Sequence, residues 1–392
     1  MRSAKIVIIG GGVAGASAAY HLALGGETDV ILLERGPVQG TGSTGRATGG
    51  VREQFGTAIN IRMSMYSIDF LKNCDFHTGY DPKGYLFFAT EQPVLDLLKR
   101  NAQTQAELGV EGIEILDQDE IKHRVPGMNC EDIIGGTFGP RDGFIDPVAV
   151  MRGFSKLATD KGVKFELGRT VVRINVSAGR VESVSTDEGD IGCDAVVVCT
   201  GAWTKGLAAT AGVEIPVEPL RRQIVWARCN EVLPANLPMV IDAASGFHFR
   251  PAIDFWEPSA NKVPTRDVLL AYPDRDESTS FNTQYDPAFG EKVYELARGR
   301  AKFLYESTPV ATKCRAGLYE NTPDHHAILC GCEVDGLYFS TGFSGHGVMH
   351  SPASGRAISE IIMDGKASFL DVSCLSLARF AQGELLTETG YI

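Results

Sequence analysis

The sequence predicts an α/β protein in which a second, α+β domain on a mostly antiparallel sheet is interleaved with the first. At the N-terminus, a buried strand over residues 5–9 leads through a glycine cluster into an alanine-rich helix over residues 13–24. Residues 337–364 repeat the order strand, glycine loop, helix. Between them, residues 216–315 carry short alternating strands and several prolines, as an antiparallel sheet does. Both chain ends are therefore expected to build one layer around the middle.

The N-terminal glycine cluster has the spacing of a dinucleotide-binding fingerprint. Gly10-x-Gly12-x-x-Gly15 precedes a strand over residues 29–33 that ends on Glu34. Glycines at these positions let a pyrophosphate approach the helix N-terminus, and an acidic side chain at the end of the next strand accepts hydrogen bonds from a ribose. The order of these elements predicts a Rossmann-type layer. Its predicted cofactor contacts are Gly10, Gly12, Val13, Ala14, Gly15, Glu34 and Arg35.

Helix and strand signals along the rest of the chain divide it into two interleaved domains. Asp146 followed by Pro147 is typical of a helix start, and a second start is predicted near Ser351, with Pro352 in the first turn. The other predicted helices cover residues 59–71, 93–108 and 287–304, and the other strands cover 163–167, 171–175, 195–199, 223–228, 246–250, 268–272 and 337–340. The predicted nucleotide-binding domain comprises residues 1–80, 146–217 and 318–392, and the predicted substrate domain comprises residues 81–145 and 218–317.

Composition and charge exclude several classes of protein. The 392 residues carry 37 basic and 49 acidic side chains, a net charge of −12, which disfavours nucleic acid as a partner. No apolar run is long enough to span a membrane, and the glycine cluster interrupts the N-terminal stretch that resembles a signal peptide. The nine cysteines form no CxxC pair, which favours reduced thiols and a cytoplasmic protein. No His or Cys pattern has metal-ligand spacing, so no metal is predicted.

Three further parts of the sequence resemble one family of flavoproteins. They are the loop 42–52 (GSTGRATGGVR), the late strand with its glycine at 195–203 (AVVVCTGAW), and the paired segments 317–324 (GLYENTPD) and 342–347 (GFSGHG). Together they resemble the D-amino-acid-oxidase superfamily of FAD enzymes, in the branch of sarcosine oxidase and glycine oxidase. The resemblance covers essentially the whole chain, and the ending at residues 379–385 is similar to that of L-proline dehydrogenase β subunits. It implies FAD as the cofactor.

The resemblance also implies which residues hold the flavin. Backbone N–H groups of the loop 342–348 would face the pyrimidine edge of the ring, and the helix that follows would add the positive end of its dipole. Gly317 stands where sarcosine oxidase has the Cys that binds its flavin covalently, and Cys314 is in another register, so non-covalent FAD is predicted. The contacts implied beyond the fingerprint are Ser43, Thr44, Arg46, Ala47, Thr48, Gly49, Val172, Thr200, Gly201, Trp203, Gly317, Tyr319, Gly342, Ser344, Gly345, His346, Gly347, Val348 and Met349.

A small amino acid is the substrate that the resemblance implies, with Arg52 binding its carboxylate. A guanidinium suits this task because it pairs with a carboxylate through two parallel hydrogen bonds. The other candidate site residues are His248, Phe249, Arg250 and Met349. Met349 replaces a second cation of sarcosine oxidase, which argues against that activity. The alternatives are a surface salt bridge between Arg52 and Glu53, and a purely structural His248.

The implied reaction is dehydrogenation of a C–N bond by hydride transfer to flavin N5. The amine must bind in its neutral form, because an ammonium has no lone pair to stabilise the developing iminium. Oxygen or another electron acceptor would then reoxidise the flavin. Two alternatives stay open at this point: an NAD-dependent dehydrogenase with the same fingerprint, and a flavin-bearing subunit of a larger electron-transfer complex. A partner subunit or a homo-oligomer is compatible with the resemblance.

Overall fold

The computed structural model of the chain describes residues 2–257 and 264–390, in which strands and helices alternate along most of the sequence. The strands are β1 (Arg2–Ser3), β2 (Ile6–Ile9), β3 (Val30–Glu34), β4 (Gly50–Val51), β5 (Tyr85–Ala89), β6 (Glu114–Leu116), β7 (Gly135–Gly139), β8 (Gly143–Phe144), β9 (Lys164–Leu167), β10 (Val171–Ser177), β11 (Arg180–Thr186), β12 (Gly189–Gly192), β13 (Ala195–Val198), β14 (Glu218–Arg228), β15 (Met239–Asp242), β16 (His248–Pro251), β17 (Asp267–Ala271), β18 (Thr308–Pro309), β19 (Arg315–Asn321), β20 (Ile328–Gly331) and β21 (Leu337–Thr341). The helices are α1 (Val13–Leu24), α2 (Ser43–Arg46), α3 (Ala58–Asn73), α4 (Gln92–Glu107), α5 (Gln118–Arg124), α6 (Pro147–Asp160), α7 (Thr204–Ala209), α8 (Pro287–Arg298), α9 (Lys302–Tyr305), α10 (Gly347–Asp364) and α11 (Ala378–Gln382).

A six-stranded sheet with the order β20-β21-β13-β2-β3-β9 forms the centre of the nucleotide-binding layer. All its neighbouring strands are parallel except β20 and β21. One face packs on α1, α6 and α10, and the other packs on a second sheet with the order β1-β12-β11-β10. Because both faces are covered, every residue of β2 is buried. Among the described residues, no helix is long and apolar enough to cross a membrane.

Helices α1 and α10 approach each other at small residues. A methyl group on Gly355 would lie 2.1 Å from the hydroxyl oxygen of Ser17, so only glycine fits there without a shift of one helix. The Ser17 hydroxyl also donates a hydrogen bond of 2.7 Å to the carbonyl of Ser351. These contacts hold the two helices together, in the second turn of α1 and in the second and third turns of α10.

The middle of the chain forms a nine-stranded sheet. Its order is β18-β14-β17-β16-β15-β5-β7-β6, with β19 also paired to β14, and the one parallel pair among its described strands is β5 with β15. Helices α8 and α9 cover one face around the largest apolar core. The predicted domain boundary at residues 317–318 falls inside β19, and the predicted division into domains stays a prediction.

Two helix predictions differ from the structure. The helix predicted over residues 287–304 is the pair α8 and α9, because the chain leaves the helix at Gly299 and Ala301 forms a β-bridge with Met128. The prediction of a helix start near Ser351 is also wrong: α10 begins at Gly347, and Pro352 lies inside it.

The hydroxyl of Ser351 explains how α10 accommodates Pro352. A proline has no N–H, so it leaves the carbonyl four residues earlier, that of Val348, without its helical donor. The Ser351 hydroxyl donates to that carbonyl at 2.9 Å. Ser351 and Pro352, which resemble a helix cap and a first helical residue, are therefore compatible with the interior of α10.

Candidate active site

A cavity of about 760 Å³ opens at the carboxyl ends of β2, β3 and β13. The loops that follow these strands line one end of it, through Gly10, Arg35 and Thr200. Its other end reaches the nine-stranded sheet at Arg222 and His248. The carboxyl edge of a parallel sheet is where α/β proteins bind their ligands, so this cavity is the candidate site.

The glycine fingerprint forms the turn into α1. Gly10 has a φ of +107°, and a Cβ there would lie 2.4 Å from the carbonyl oxygen of Cys199. A Cβ on Gly15 would lie 2.0 Å from the carbonyl oxygen of Gly10. Helix α1 starts at Val13, and its N-cap Gly12 has no side chain to make a capping bond. The N–H groups of Ala14 and Gly15 in its first turn have no carbonyl four residues earlier within the helix, and they lie beside the cavity wall at Gly12 and Ala14, where a pyrophosphate fits.

The carboxylate of Glu34 is fixed at the end of β3 by two backbone N–H groups. Its Oε2 accepts a hydrogen bond from Gly11 at 2.7 Å and its Oε1 accepts one from Gly36 at 2.8 Å. A carboxylate offers about four lone-pair positions, so each oxygen can still accept a hydroxyl. Nearby, the Arg35 guanidinium lies 3.8 Å above the Trp203 ring, which stacks on Phe281. This wall suits the ribose and base of a nucleotide.

The loop around α2 joins the glycine fingerprint to β19. The Thr44 hydroxyl accepts a hydrogen bond of 3.1 Å from the N–H of Val13. Ser43 donates to the carbonyl of Leu318 at 2.7 Å, and Arg46 donates to that of Ala316 at 2.6 Å. The loop is therefore held between both sheets, and a ligand that touches it contacts both sides of the cavity.

The second glycine loop, residues 342–347, brings the N-terminus of α10 to the same cavity. Ser344 adopts a φ of +50°, unusual for a residue with a Cβ, and its hydroxyl accepts a hydrogen bond of 3.2 Å from the N–H of Thr322. Gly345 lies against the Tyr319 ring, where a Cβ would clash at 2.4 Å. Helix α10 has His346 as its N-cap and, among the described residues, no side-chain cap. Two helix N-termini, those of α1 and α10, thus face one cavity.

Most of the predicted cofactor contacts lie in the cavity wall. Those that line it are Gly10, Gly12, Val13, Ala14, Glu34, Arg35, Ser43, Thr44, Arg46, Ala47, Thr48, Val172, Thr200, Gly201, Trp203, Gly317, Tyr319, Gly345, Gly347 and Val348. Those that lie outside the wall are Gly15, Gly49, Gly342, Ser344, His346 and Met349. Cys314, the alternative site for covalent attachment, packs against the apolar core beside the nine-stranded sheet.

The three candidate residues of β16 have different environments. His248 lines the cavity; its Nδ1 lies 2.9 Å from the carbonyl of Gly246, and burial lowers its pKa. The prediction of Phe249 as a site residue is wrong, because neighbouring strand residues point to opposite faces and Phe249 is buried in the core. Arg250 is also buried outside the cavity wall; it donates to the carbonyls of Pro251 and Thr48, and burial lowers its pKa to about 9.

Arg52 is buried, with 3% of its surface exposed, and lies outside the cavity wall. Its guanidinium donates to the carbonyls of Gln54 and Gly390, the latter at 2.7 Å, and in the part of the chain that the structure describes no carboxylate forms an ion pair with it. The alternative of a salt bridge with Glu53 is wrong, because Glu53 pairs with Arg141 at 3.6 Å. Burial lowers the pKa of Arg52, and the charge of Glu388 opposes that shift.

Three charged residues of the cavity were missed by the sequence analysis: Arg169, Arg222 and Glu320. Arg222 lies 5.6 Å from the centre of the Tyr319 ring and donates to the carbonyl of Asp274 at 3.2 Å, while its Nε has no hydrogen-bond partner among the described residues. Glu320 accepts hydrogen bonds from Thr341 and Gly342, and burial raises its pKa. Strand β14 also carries Arg221 and Arg228, so its pattern contains no signal that singles out Arg222.

Among the described residues, no group of His, Cys, Asp or Glu could hold a metal ion, and all nine cysteines, each of which the structure describes, are free thiols. The site is therefore built from glycine loops, helix N-termini and guanidinium groups. This donor set suits an anionic organic cofactor and an anionic substrate.

Comparison with known proteins agrees with this geometry. Residues 5–361 match the model of the DAO family, described as FAD-dependent oxidoreductases. The FAD-dependent oxidoreductase domain-containing protein 1 of Xenopus laevis is 31% identical over 99% of this chain and 85% of its own length. The 4-methylaminobutanoate oxidase (formaldehyde-forming) of Paenarthrobacter nicotinovorans is 27% identical over 96% of this chain, which spans 46% of that enzyme. The crystal structure of L-proline dehydrogenase from P. horikoshii superposes with a TM-score of 0.88 at 27% identity, covering 98% of this chain and 100% of that one.

Proposed function

The chain belongs to the DAO family of FAD-dependent oxidoreductases, and we propose that it dehydrogenates the C–N bond of a small or secondary amino acid. Membership of this family decides against the NAD-dependent alternative. The names of two relatives, L-proline dehydrogenase and 4-methylaminobutanoate oxidase, give L-proline and 4-methylaminobutanoate as the substrates. Each of these molecules is a secondary amine that bears a carboxylate. A substrate with these two groups is what we propose for this chain.

The observation that carries this proposal is the state of Arg52. A buried cation is costly unless a counter-charge neutralises it. Among the described residues, Arg52 donates hydrogen bonds to neutral carbonyls, and the Glu388 charge acts on it without forming an ion pair. Burial raises the pKa of the Tyr319 phenol, and the charges of Arg222 and then of Arg52 oppose that rise, so the Arg52 guanidinium acts on a residue of the cavity wall. A substrate carboxylate would supply the missing counter-charge.

The residues of the cavity fit FAD along its whole length. The N-terminus of α1 would hold the pyrophosphate, Glu34 would accept hydrogen bonds from the adenosine ribose, and the loop at Gly345 with the N-terminus of α10 would hold the flavin end. FAD, when bound, accepts the hydride that leaves the substrate carbon. We propose non-covalent binding, since Gly317 lines the cavity and Cys314 packs into the core.

The chain's own residues would orient the substrate and its amine. Arg52 would hold the carboxylate and so fix the position of the reacting carbon. The contact of His248 Nδ1 with the carbonyl of Gly246 places the ring proton on Nδ1 and leaves Nε2 as an acceptor. Because burial lowers the pKa of His248, the ring is neutral at physiological pH, and its Nε2 can accept a hydrogen bond from the neutral amine of the substrate.

An anaerobic substrate screen tests this function. The holoenzyme is mixed with L-proline, sarcosine, glycine and 4-methylaminobutanoate, and with pyrrolidine and methylamine as analogues without a carboxylate. We expect at least one amino acid to bleach the blue absorption band of the flavin, and the matched amine to bleach it far more slowly. Bleaching by the amines alone, or a purified protein that binds no flavin, would overturn the proposal.

A further inference from the structure

The C-terminal segment, residues 384–390, returns across the loop that carries Arg52. Its start is fixed by the buried ion pair of Arg379 with Asp324 at 2.7 Å, because the N–H of Glu384 donates to the carbonyl of Arg379 and the N–H of Leu386 donates to Asp324. Its end reaches Arg52 through the carbonyl of Gly390. The segment is therefore attached to the protein on both sides of Glu388.

Glu388 is the centre of this attachment. Its carboxylate accepts hydrogen bonds from the N–H groups of Gly56 (2.6 Å), Thr57 (3.3 Å) and Gly390 (2.7 Å), from the Thr57 hydroxyl (2.7 Å) and from the Asn60 amide (2.9 Å). Burial alone would raise its pKa, but these donors hold the pKa below its usual value. Glu388 is thus a charged group at neutral pH, and its donors come from the Arg52 loop, from α3 and from the segment itself.

Thr57 shows that the loop depends on this carboxylate. Thr57 is the N-cap of α3, yet its hydroxyl makes no capping bond to its own helix. It donates to Glu388 at 2.7 Å and also lies 3.0 Å from Nε2 of His326. The loop from Arg52 to Thr57 also carries Phe55, whose ring lies 3.8 Å from the Arg52 guanidinium. Glu388 therefore fixes one end of this loop directly, and it fixes the Arg52 guanidinium through Gly390.

We propose that Glu388 is a positioning residue for Arg52: it holds the C-terminal segment across the loop 52–57, so that the Gly390 carbonyl fixes the guanidinium for a substrate carboxylate. This inference rests on the proposed function of Arg52. A carbonyl is well suited to this role, because it occupies a donor of the guanidinium without neutralising its charge. The guanidinium is thus free of a direct ion pair and can form one with the substrate.

The test compares Glu388→Gln, which keeps the shape and removes the charge, and Glu388→Ala with the control Glu384→Gln. Glu384 lies in the same segment, is exposed and has the same side chain. For each holoenzyme, kcat/KM is measured on the best amino acid and on its analogue without a carboxylate, and acetate affinity is measured from the perturbation of the flavin spectrum. Thermal unfolding reports whether each variant is folded.

We expect Glu388→Gln to lower kcat/KM for the amino acid by roughly 10- to 100-fold, the effect of an ångström-scale displacement. Acetate should bind correspondingly more weakly, whereas the amine should be little affected and Glu384→Gln should match the wild type. In an Arg52→Ala background, Glu388→Gln should cause no further loss, because both changes remove the same contact.

Four results would overturn the inference. Equal losses on the amino acid and the amine would show that Glu388 supports the fold rather than carboxylate binding. A severe loss of kcat/KM in Arg52→Ala together with no loss in Glu388→Gln would contradict the proposed role of Glu388 but not that of Arg52. Additive losses in the double variant would lead to the same conclusion. An Arg52→Ala enzyme with unchanged kcat/KM would overturn both proposals at once.

Discussion

The guanidinium of Arg52 lies 3.8 Å from the centre of the Phe55 ring, and both side chains are buried. Among the described residues, the other aromatic rings near Phe55 are those of His346 and His350, with centres at 4.9 and 5.4 Å. Burial and the Arg52 charge lower the pKa of both histidines, that of His350 to about 3, so they are neutral at physiological pH. The Arg52 cation is therefore stacked on an uncharged aromatic cluster that leads to the second glycine loop.

Replacement of Arg52 tests the carboxylate site. Arg52→Lys keeps a charge but loses the planar fork and the stacking on Phe55, and Arg52→Ala loses the charge as well. Removing the partner of a buried carboxylate costs about 2–5 kcal/mol. We therefore expect kcat/KM for amino acids to fall by roughly 30- to several-thousand-fold in Arg52→Ala, at about 1.36 kcal/mol per decade. Steady-state kinetics on matched acids and amines measures it.

The contrasting result for this experiment involves Arg222, the guanidinium that lines the cavity beside Tyr319. A mild Arg52→Ala defect together with a severe Arg222→Ala defect would place the substrate carboxylate at β14. Equal losses of Arg52→Ala on acids and amines would show that Arg52 serves the fold. The flavin spectrum of each variant is the control for an intact cofactor site.

Glu34→Ala should weaken FAD binding. The carboxylate is expected to accept charge-assisted hydrogen bonds from the ribose, worth roughly 1.5–3 kcal/mol. It also fixes the N–H groups of Gly11 and Gly36, which Glu34→Gln would retain in part. Titration of the apoprotein with FAD should give the order wild type, Glu34→Gln, Glu34→Ala in decreasing affinity. Equal affinities for all three would mean that the ribose lies elsewhere.

The FAD should leave the protein when the chain is denatured by acid or heat. Gly317 offers no side chain for a covalent bond, and a methyl group there would already lie 3.1 Å from the Arg46 side chain. After precipitation and centrifugation we expect the yellow colour in the supernatant. Colour retained by the precipitate would contradict this, and the absorbance of Cys314→Ser would then identify the attachment site.

Two buried carboxyl groups should make the protein less stable as the pH rises. Burial raises the pKa of Asp142 to about 7 and that of Glu53 to about 7. The unfolded chain, with ordinary values near ~4, releases these protons first. The contribution of each group is thus present below the unfolded pKa and is lost as the pH rises through the folded one, with a slope of at most about 1.4 kcal/mol per pH unit.

Asp142→Asn isolates one of these groups. Chemical denaturation between pH 5 and pH 8 should show a flatter pH dependence for the variant than for the wild type, whatever the change in absolute stability. Asp142 accepts hydrogen bonds from the N–H of Glu53 and the amide of Gln54, so some loss of stability is expected at every pH. An unchanged slope would show that Asp142 is ionised throughout this range.

Local signals were sufficient for the elements that build the cofactor site. The glycine spacing predicted the turn into α1, which runs over Val13–Leu24 as expected, and Asp146 caps α6 through the N–H groups of Val148 and Ala149. Both signals work because a cap or a turn involves residues a few positions apart. The pair Ser351 and Pro352 gave a wrong helix start, because the local sequence does not show that the Ser351 hydroxyl bonds to the carbonyl that Pro352 leaves without a donor.

The surroundings of the substrate side could not be predicted in this way. Arg52 bonds to a residue 338 positions away, and Glu388 bonds to one 332 positions away, so no local pattern relates them. The error at Phe249 was avoidable, because strand alternation from His248 already places it on the opposite face. Arg250 lies outside the cavity wall, where its guanidinium donates a hydrogen bond to the carbonyl of Thr48, and only the folded structure shows this contact.

The close contact between Gly355 and Ser17 has a consequence for the cofactor. Helices α1 and α10 each present an N-terminus to one end of the cavity, and this contact fixes how far apart those two N-termini lie. A cofactor of fixed length must fit between them. The length of the cofactor site thus depends on residue 355 having only a hydrogen atom as its side chain. We expect Gly355→Ala to push the two helices apart and so change the distance between the pyrophosphate and flavin positions, although residue 355 contacts neither.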